Sequence, residues 1–189
     1  MWAKQKQPGF TIVELLIVIV VIAILAAITI VAYNGIQQRA NNTAIIDAAS
    51  KSLRIIQAYI AEKGTYPTTV GACLTTESGC VNNSTVSNGN SALDANLATI
   101  GTIPKNIPNN GTTHNGISVT YASNTTWNGE SQPLRLSYYL NGNNQQCGLA
   151  RVSAYAYPGY TTSNTGFTNS NHESSGKTLC WISVPGPGV

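Results

Sequence analysis

The chain has 189 residues, of which only 9% are charged, and its formal net charge is +3. This length suits one globular domain with an appended segment, but not two full domains. The sparse charge lacks the basic footprint that nucleic-acid binding needs, so a nucleic-acid partner is disfavoured. The acids are scattered, and no nucleophile elbow, phosphate loop or paired-carboxylate motif occurs. The sequence therefore predicts neither an enzyme nor a cofactor.

An apolar segment begins close to the N-terminus. No charged residue occurs between Glu14 and Arg39, and only Thr29 interrupts the apolar run from Leu15 to Ala32. At roughly 1.5 Å per residue, a helix of this length spans a bilayer of about 30 Å. A secretory signal has a shorter apolar core that precedes its cleavage site. We therefore expect this segment to stay in the mature chain.

Glu14 is an anomaly at the start of this segment. A carboxylate in hydrocarbon costs roughly 2.5–3.5 kcal/mol on insertion scales, so it needs a partner or a purpose. Gly9 and Phe10 lie just before it, and Lys4 and Lys6 come earlier still. These two lysines are typical of the inside-facing flank of a membrane segment.

The chain beyond Tyr33 keeps helical spacing but becomes amphipathic. An apolar stripe is predicted at five positions: Ile45, Ala49, Leu53, Ile56 and Ile60. Polar residues are expected mostly on other faces: Asn42, Asp47, Lys51, Arg54 and Gln57. Lys63 followed by Gly64 marks a helix end. The sequence predicts one helix over 10–63, with 10–33 as a transmembrane or filament-core segment and 34–63 as its amphipathic half.

Residues 64–189 are rich in small uncharged polar side chains, which is typical of an exposed extracellular domain. Alternating apolar residues predict four strands: Ile117–Tyr121, Leu134–Leu140, Cys147–Tyr155 and Thr178–Val184. One short helix is expected at Ser91–Ile100. Asn141-Gly142 predicts a hairpin turn. An antiparallel sheet laid across the amphipathic half of the helix would bury both apolar faces. The predicted fold class is therefore α+β.

Four cysteines in a chain with a membrane signal indicate an oxidising exterior and two disulfides. Three pairings are possible. We favour Cys73–Cys80, which closes a local loop, together with Cys147–Cys180, which ties a strand to the C-terminal strand. A zinc site is the alternative, but the chain has no Cys-x-x-Cys pair and its histidines have no fixed spacing to a cysteine. No metal site is predicted.

The residues from Gly9 through Ile28 resemble the prepilin signature of type IV pilins and type II secretion pseudopilins. A short basic leader, a glycine, a phenylalanine and a glutamate four residues later carry this resemblance. The resemblance implies the type IV pilin fold, and a leader of residues 1–9 that a prepilin peptidase cuts between Gly9 and Phe10. Phe10 would become an N-methylated N-terminus, and Glu14 would neutralise the terminal amine of a neighbouring subunit. Val31 stands where many such pilins carry proline, which implies a more continuous helix in the fibre.

The function that the resemblance implies is a structural subunit of a type IV pilus. The subunit would wait in the cytoplasmic membrane as a single-pass precursor. Pilus assembly machinery would then polymerise it into a homo-oligomeric helical filament on the cell surface, for adhesion, twitching motility or DNA uptake. Two alternatives stay open: a pseudopilin of a type II secretion system, and a membrane-anchored binding module that never polymerises. The sequence leaves open the surface ligand and the distinction between a major and a minor pilin.

Overall fold

A computed structural model describes most of the chain, in these ranges: 9–67, 71–75, 80–82, 85–87, 89–108, 114–121, 126–127, 130–131, 134–143, 145–149, 162–163, 167–168, 170–172, 176–184 and 186. The chain divides into two units, Met1–Arg39 and Ala40–Val189. Residues 1–8 of the predicted leader 1–9 lie outside the described residues, as do parts of the predicted extracellular domain 64–189.

The helix α1 runs over Ile12–Lys63 and has 52 residues. It begins two residues later than the sequence predicted, because Thr11 acts as its N-cap. The side chains from Ile12 to Ile36 are exposed. Thr29, the one polar residue of the apolar run, donates its hydroxyl to the Ala26 carbonyl oxygen at 2.9 Å. The helix uses its own backbone to satisfy this hydroxyl, as threonine commonly does within helices.

The end of α1 follows the expected signals. Lys63 lies in the last turn. Gly64 then adopts a φ of 67° and donates its N–H to the Ile60 carbonyl oxygen at 2.8 Å. A left-handed glycine stops a helix in this way without the penalty that a Cβ would bring. Tyr66 donates its hydroxyl to the Val184 carbonyl oxygen at 2.9 Å, which ties the chain after α1 to the residue that follows the last strand.

The second unit is built on antiparallel sheets and one short helix. The helix α2 is Ser91–Ala98, and Asn90 is its N-cap. The strands in chain order are β1 Ala72–Cys73, β2 Cys80–Asn82, β3 Thr85–Ser87, β4 His114–Asn115, β5 Ile117–Tyr121, β6 Thr126–Trp127, β7 Glu130–Ser131, β8 Leu134–Asn141, β9 Thr162–Ser163, β10 Phe167–Thr168, β11 Ser170–His172 and β12 Lys177–Ser183. The main sheet has five strands in the order β1-β5-β8-β12-β11, and β2, β3 and β4 form a smaller sheet.

The predicted α+β class is confirmed by this arrangement. The strands expected at Ile117–Tyr121, Leu134–Leu140 and Thr178–Val184 are β5, β8 and β12, and the expected short helix is α2. The third predicted strand is wrong where the structure describes it, because Cys147–Leu149 is not a strand. Its remainder, 150–155, lies outside the described residues. The hairpin predicted at Asn141-Gly142 would have led into that segment, but among the described residues β8 pairs with β5 and β12.

One apolar core joins α1 to the main sheet. All five residues of the predicted stripe are buried, which confirms that part of the pattern. They share the core with the inward-facing residues of three strands: Ile117, Val119, Leu134, Leu136, Tyr138, Leu140 and Ile182. The prediction for Asn42 is wrong, since this residue is only 7% exposed on the same face. The spacing explains it, because Asn42 precedes Ile45 by three positions and Ala49 by seven.

Both disulfides favoured from the sequence are present. Cys73 pairs with Cys80, and Cys147 pairs with Cys180, with Cα–Cα distances of 5.2 and 5.7 Å. No cysteine is free. All four are buried, so both disulfides are part of the interior of the second unit.

Candidate functional site

The residues that the sequence singled out divide into two groups. Gly9, Phe10 and Glu14 lie together at the start of α1. The four cysteines are structural crosslinks within the second unit. The candidate functional site is therefore the helix start and the apolar surface that follows it.

Thr11 and Glu14 form a reciprocal pair at the first turn of α1. The Glu14 N–H donates to the Thr11 Oγ1 at 3.2 Å. In return, Glu14 Oε2 accepts the Thr11 N–H at 2.8 Å and the Thr11 hydroxyl at 2.7 Å. This is the capping-box arrangement, in which an N-cap threonine and a glutamate three residues later satisfy each other's backbone donors. The pattern Thr-x-x-Glu is readable in the sequence, yet our sequence reasoning gave Thr11 no role.

The capping box explains how Glu14 is held, but leaves its charge in place. The carboxylate accepts from two neutral donors, the Thr11 N–H and the Thr11 hydroxyl, which orient it without neutralising it. Glu14 is also near the positive end of the helix dipole, which favours an acid in the first turn. The side chain remains exposed. A cation that approaches the helix start would therefore meet an oriented, accessible carboxylate.

Gly9 and Phe10 lie before the helix. Neither has helical structure, both are exposed, and Phe10 is 84% exposed. Because Thr11 starts the helix, the Gly9–Phe10 peptide bond is not part of its hydrogen-bonded backbone. A protease that binds its substrate in an extended form could reach this bond without first unwinding a turn.

The surface of α1 after Glu14 is apolar and exposed. Large apolar side chains between Leu15 and Ile36 are each about half or more exposed, from 47% at Val20 to 74% at Val31. Soluble monomers rarely leave a contiguous apolar patch of this extent uncovered, so such a surface indicates contact with lipid or protein. Among the described residues, α1 is the one helix with the length and apolar composition needed to cross a membrane.

The described part of the chain offers no metal centre. It contains no group of three or more histidine, cysteine or acidic side chains placed to hold an ion. His114, one of the two histidines considered for zinc, is buried beside the ring of Tyr139 at a centroid distance of 5.0 Å. The cysteine sulfurs are used in disulfides.

These features define an α+β protein with an exposed apolar N-terminal helix and an acidic capping box at its start. Two comparisons with known proteins agree with that class. The family described as "Prokaryotic N-terminal methylation motif" matches residues 4–30. The chain is also 39% identical over 64 residues to the fimbrial protein EcpC of Eikenella corrodens. No solved structure matches.

The matches cover only part of each chain. The alignment with the fimbrial protein spans 34% of this chain and 42% of that relative, so it covers less than half of either protein. Both matches nevertheless support a type IV pilin-like family and a pilin-type subunit. Both matches point to structural proteins of the fimbrial or pilin type.

Proposed function

We propose that this chain is a structural subunit of a type IV pilus, with residues 1–9 as a leader that a prepilin peptidase removes. The observation that carries the proposal is the exposed apolar surface of α1 with one oriented carboxylate at its beginning. Before assembly, the segment 10–33 would lie in the cytoplasmic membrane. In the pilus, the same apolar surface would pack against the helices of other subunits.

Cleavage between Gly9 and Phe10 would create a cationic partner for Glu14. The new amine of Phe10, kept basic by N-methylation, is a cation attached to an apolar residue. Paired with Glu14 of a neighbouring subunit, it would remove an isolated charge from the filament core. A buried ion pair of this kind contributes orientation more than net stability, because desolvation offsets much of the attraction. Glu14 would therefore set the axial register of one subunit against the next.

The proposal assigns partners of three kinds. The first is further copies of this chain in a helical filament. The second is the processing and assembly machinery of the cytoplasmic membrane, which includes the prepilin peptidase. The third is whatever the exposed second unit meets on the cell surface, in adhesion, twitching motility or DNA uptake.

The test compares Glu14→Ala and Glu14→Gln with the wild type in cells. Glu14→Gln is the matched control for hydrogen bonding, because its amide oxygen can still accept from Thr11 while the charge is lost. We expect both variants to be cleaved at Phe10 and to reach the membrane, but to yield no sheared filaments. Mass spectrometry of wild-type filaments should identify this subunit with an N-methylated Phe10. Normal filaments from both variants would refute the proposal.

The same experiment separates the two alternatives. If the variants stop protein secretion while surface filaments of the wild type are never found, the chain is a secretion pseudopilin. If the wild-type chain stays in the membrane uncleaved, and neither substitution alters its amount or behaviour, the chain is an anchored module that does not polymerise.

A further inference from the structure

Asn42 stands out because a polar residue occupies the apolar face of α1. It is the first buried residue of the helix, counted from the N-terminus, and only 7% of its surface is exposed. Its neighbours on the same face are the apolar Ile45 and Ala49. A buried amide is costly unless it is hydrogen-bonded, so the hydrogen-bond partners of Asn42 account for its burial.

The partners of Asn42 are backbone groups of the sheet. The Asn42 Nδ2 donates to the Asn141 carbonyl oxygen at 3.0 Å, and the Asn141 N–H donates to the Asn42 Oδ1 at 2.8 Å. One side chain thus binds both backbone groups of the last residue of β8. A residue of a neighbouring antiparallel strand makes the same pair of hydrogen bonds.

Asn141 lies where β8 extends past β5. The pairing of β5 with β8 runs from Tyr121 opposite Leu134 to Ile117 opposite Tyr138. Asn141 therefore lies beyond the last β5 residue, although β12 still pairs with it through Lys177 on the other side. Without Asn42, a backbone N–H and a backbone carbonyl would lose these bonds at the edge of the core.

The contact extends into a wider network. Asn42 Nδ2 also approaches Gln145 Oε1 at 3.4 Å. The Gln145 N–H donates to the Thr178 hydroxyl oxygen at 3.0 Å, and that hydroxyl donates to the Gly142 carbonyl oxygen at 2.7 Å. Thr178 is fully buried in β12. The amide on α1 is therefore joined to β8, to the connection after it and to β12.

We propose that Asn42 is a positioning residue that fixes α1 on the sheet, by bonding the backbone of Asn141 at the end of β8 as a neighbouring strand would. The contact stands at the N-terminal limit of the buried face of α1. A tensile force applied along α1 from its N-terminus acts on this contact before it acts on the apolar core. The bonds lead into β8, which has paired strands on both sides, so this contact carries axial load from α1 into the sheet. The load-carrying half of the proposal rests on the proposed function as a filament subunit.

The first test measures hydrogen exchange in the full chain held in detergent micelles. The variants are Asn42→Ala and Asn42→Leu, where leucine fills the space without making the hydrogen bonds. Ile45→Val, on the same buried face, is the control for general destabilisation. The measured quantity is the exchange rate of the Asn141 amide divided by that of the Leu136 amide in the middle of β8. We expect this ratio to be at least about tenfold higher in both Asn42 variants than in the wild type. In Ile45→Val the ratio of the two rates should stay at its wild-type value.

Two results would overturn the positioning role. One is a restored wild-type exchange ratio in Asn42→Leu, which would mean that Asn42 only fills space. The other is an equal acceleration at Asn141 and Leu136 in Asn42→Ala, which would mean a general loss of stability.

The second test stretches single filaments of wild type, Asn42→Leu and Ile45→Val. We expect irreversible lengthening at a lower force in Asn42→Leu alone. Equal forces in all three would overturn the load-carrying half. If the wild type forms no filaments, the proposed function fails, while the exchange result still decides the positioning role independently.

Discussion

The capping box at the start of α1 makes a quantitative prediction about Thr11. Replacing Thr11 with valine keeps the shape of the side chain but removes its hydroxyl. Two hydrogen bonds disappear, the one that Oγ1 accepts from the Glu14 N–H at 3.2 Å and the one that it donates to Glu14 Oε2 at 2.7 Å. The bond from the Thr11 N–H to Glu14 Oε2 can persist. Loss of an N-cap side chain costs about 1 kcal/mol, which corresponds to a roughly fivefold change in the opening equilibrium of the first turn.

The assay is amide hydrogen exchange of the full chain in micelles, resolved at the Glu14 N–H. We expect Thr11→Val to raise the exchange rate of that amide about fivefold, while amides of the buried half of α1 keep their rates. Thr11→Ser is the matched control, because serine retains the hydroxyl and should exchange like the wild type. Equal protection of the Glu14 amide in wild type and Thr11→Val would refute the reasoning, since the hydroxyl would then contribute nothing to the cap.

Three further predictions concern the second unit. Gly116→Ala should lower the melting temperature strongly, because Gly116 has a φ of 91° and a Cβ there would lie 2.5 Å from a disulfide sulfur. Gly176→Ala is the control, because Gly176 has a φ of 64° but open space around it. Its melting temperature should fall less, since only backbone strain is added. Ser52→Ala should leave the free energy of unfolding unchanged or raise it by about 1 kcal/mol, because this fully buried hydroxyl has no hydrogen-bond partner among the described residues; a marked loss in urea unfolding would contradict this. Burial raises the pKa of Tyr139 to about 12, so the unfolded chain loses this proton first and stability should fall as the pH rises through roughly 10 to 12. Tyr139→Phe should make this fall smaller in urea titrations without removing it, because burial also raises the pKa of Tyr66 to about 12.

The sequence was most informative where one local rule acts alone. Helical spacing predicted the buried stripe of α1, and alternation predicted β5, β8 and β12, because burial on one face imposes those periods directly. The end of α1 at Lys63 was also predictable, since a left-handed glycine follows it. The two disulfide pairs agree with the favoured pairing, although sequence alone left two other pairings open.

The sequence was least informative where a side chain replaces backbone pairing. Asn42 was predicted to lie away from the core because asparagine is polar. No residue near position 42 indicates that the pairing of β5 with β8 stops before it reaches Asn141. That information lies in the register of two strands about a hundred positions later in the chain. The third predicted strand failed for a related reason. An apolar run starting at Cys147 matched a strand, but in the described part of that run Cys147 is held by its disulfide to Cys180 and by the hydrogen bond that its carbonyl oxygen accepts from the Tyr138 hydroxyl.

The polar groups of the exposed half of α1 divide by whether the helix itself can satisfy them. Thr29 needs only one acceptor and finds it in the Ala26 carbonyl. Glu14 receives hydrogen bonds from Thr11, but a hydrogen bond from a neutral group leaves the charge in place. In a low-dielectric environment that remaining charge is the dominant cost, and a cation beside it offsets this cost while the carboxyl stays ionised. No lysine or arginine lies between Glu14 and Arg39, so this stretch of the chain cannot supply the cation itself. The proposed pairing with the N-terminal amine of Phe10 in a cleaved neighbouring subunit would supply this cation. Burial of the apolar segment in a filament would then depend on prior cleavage before Phe10.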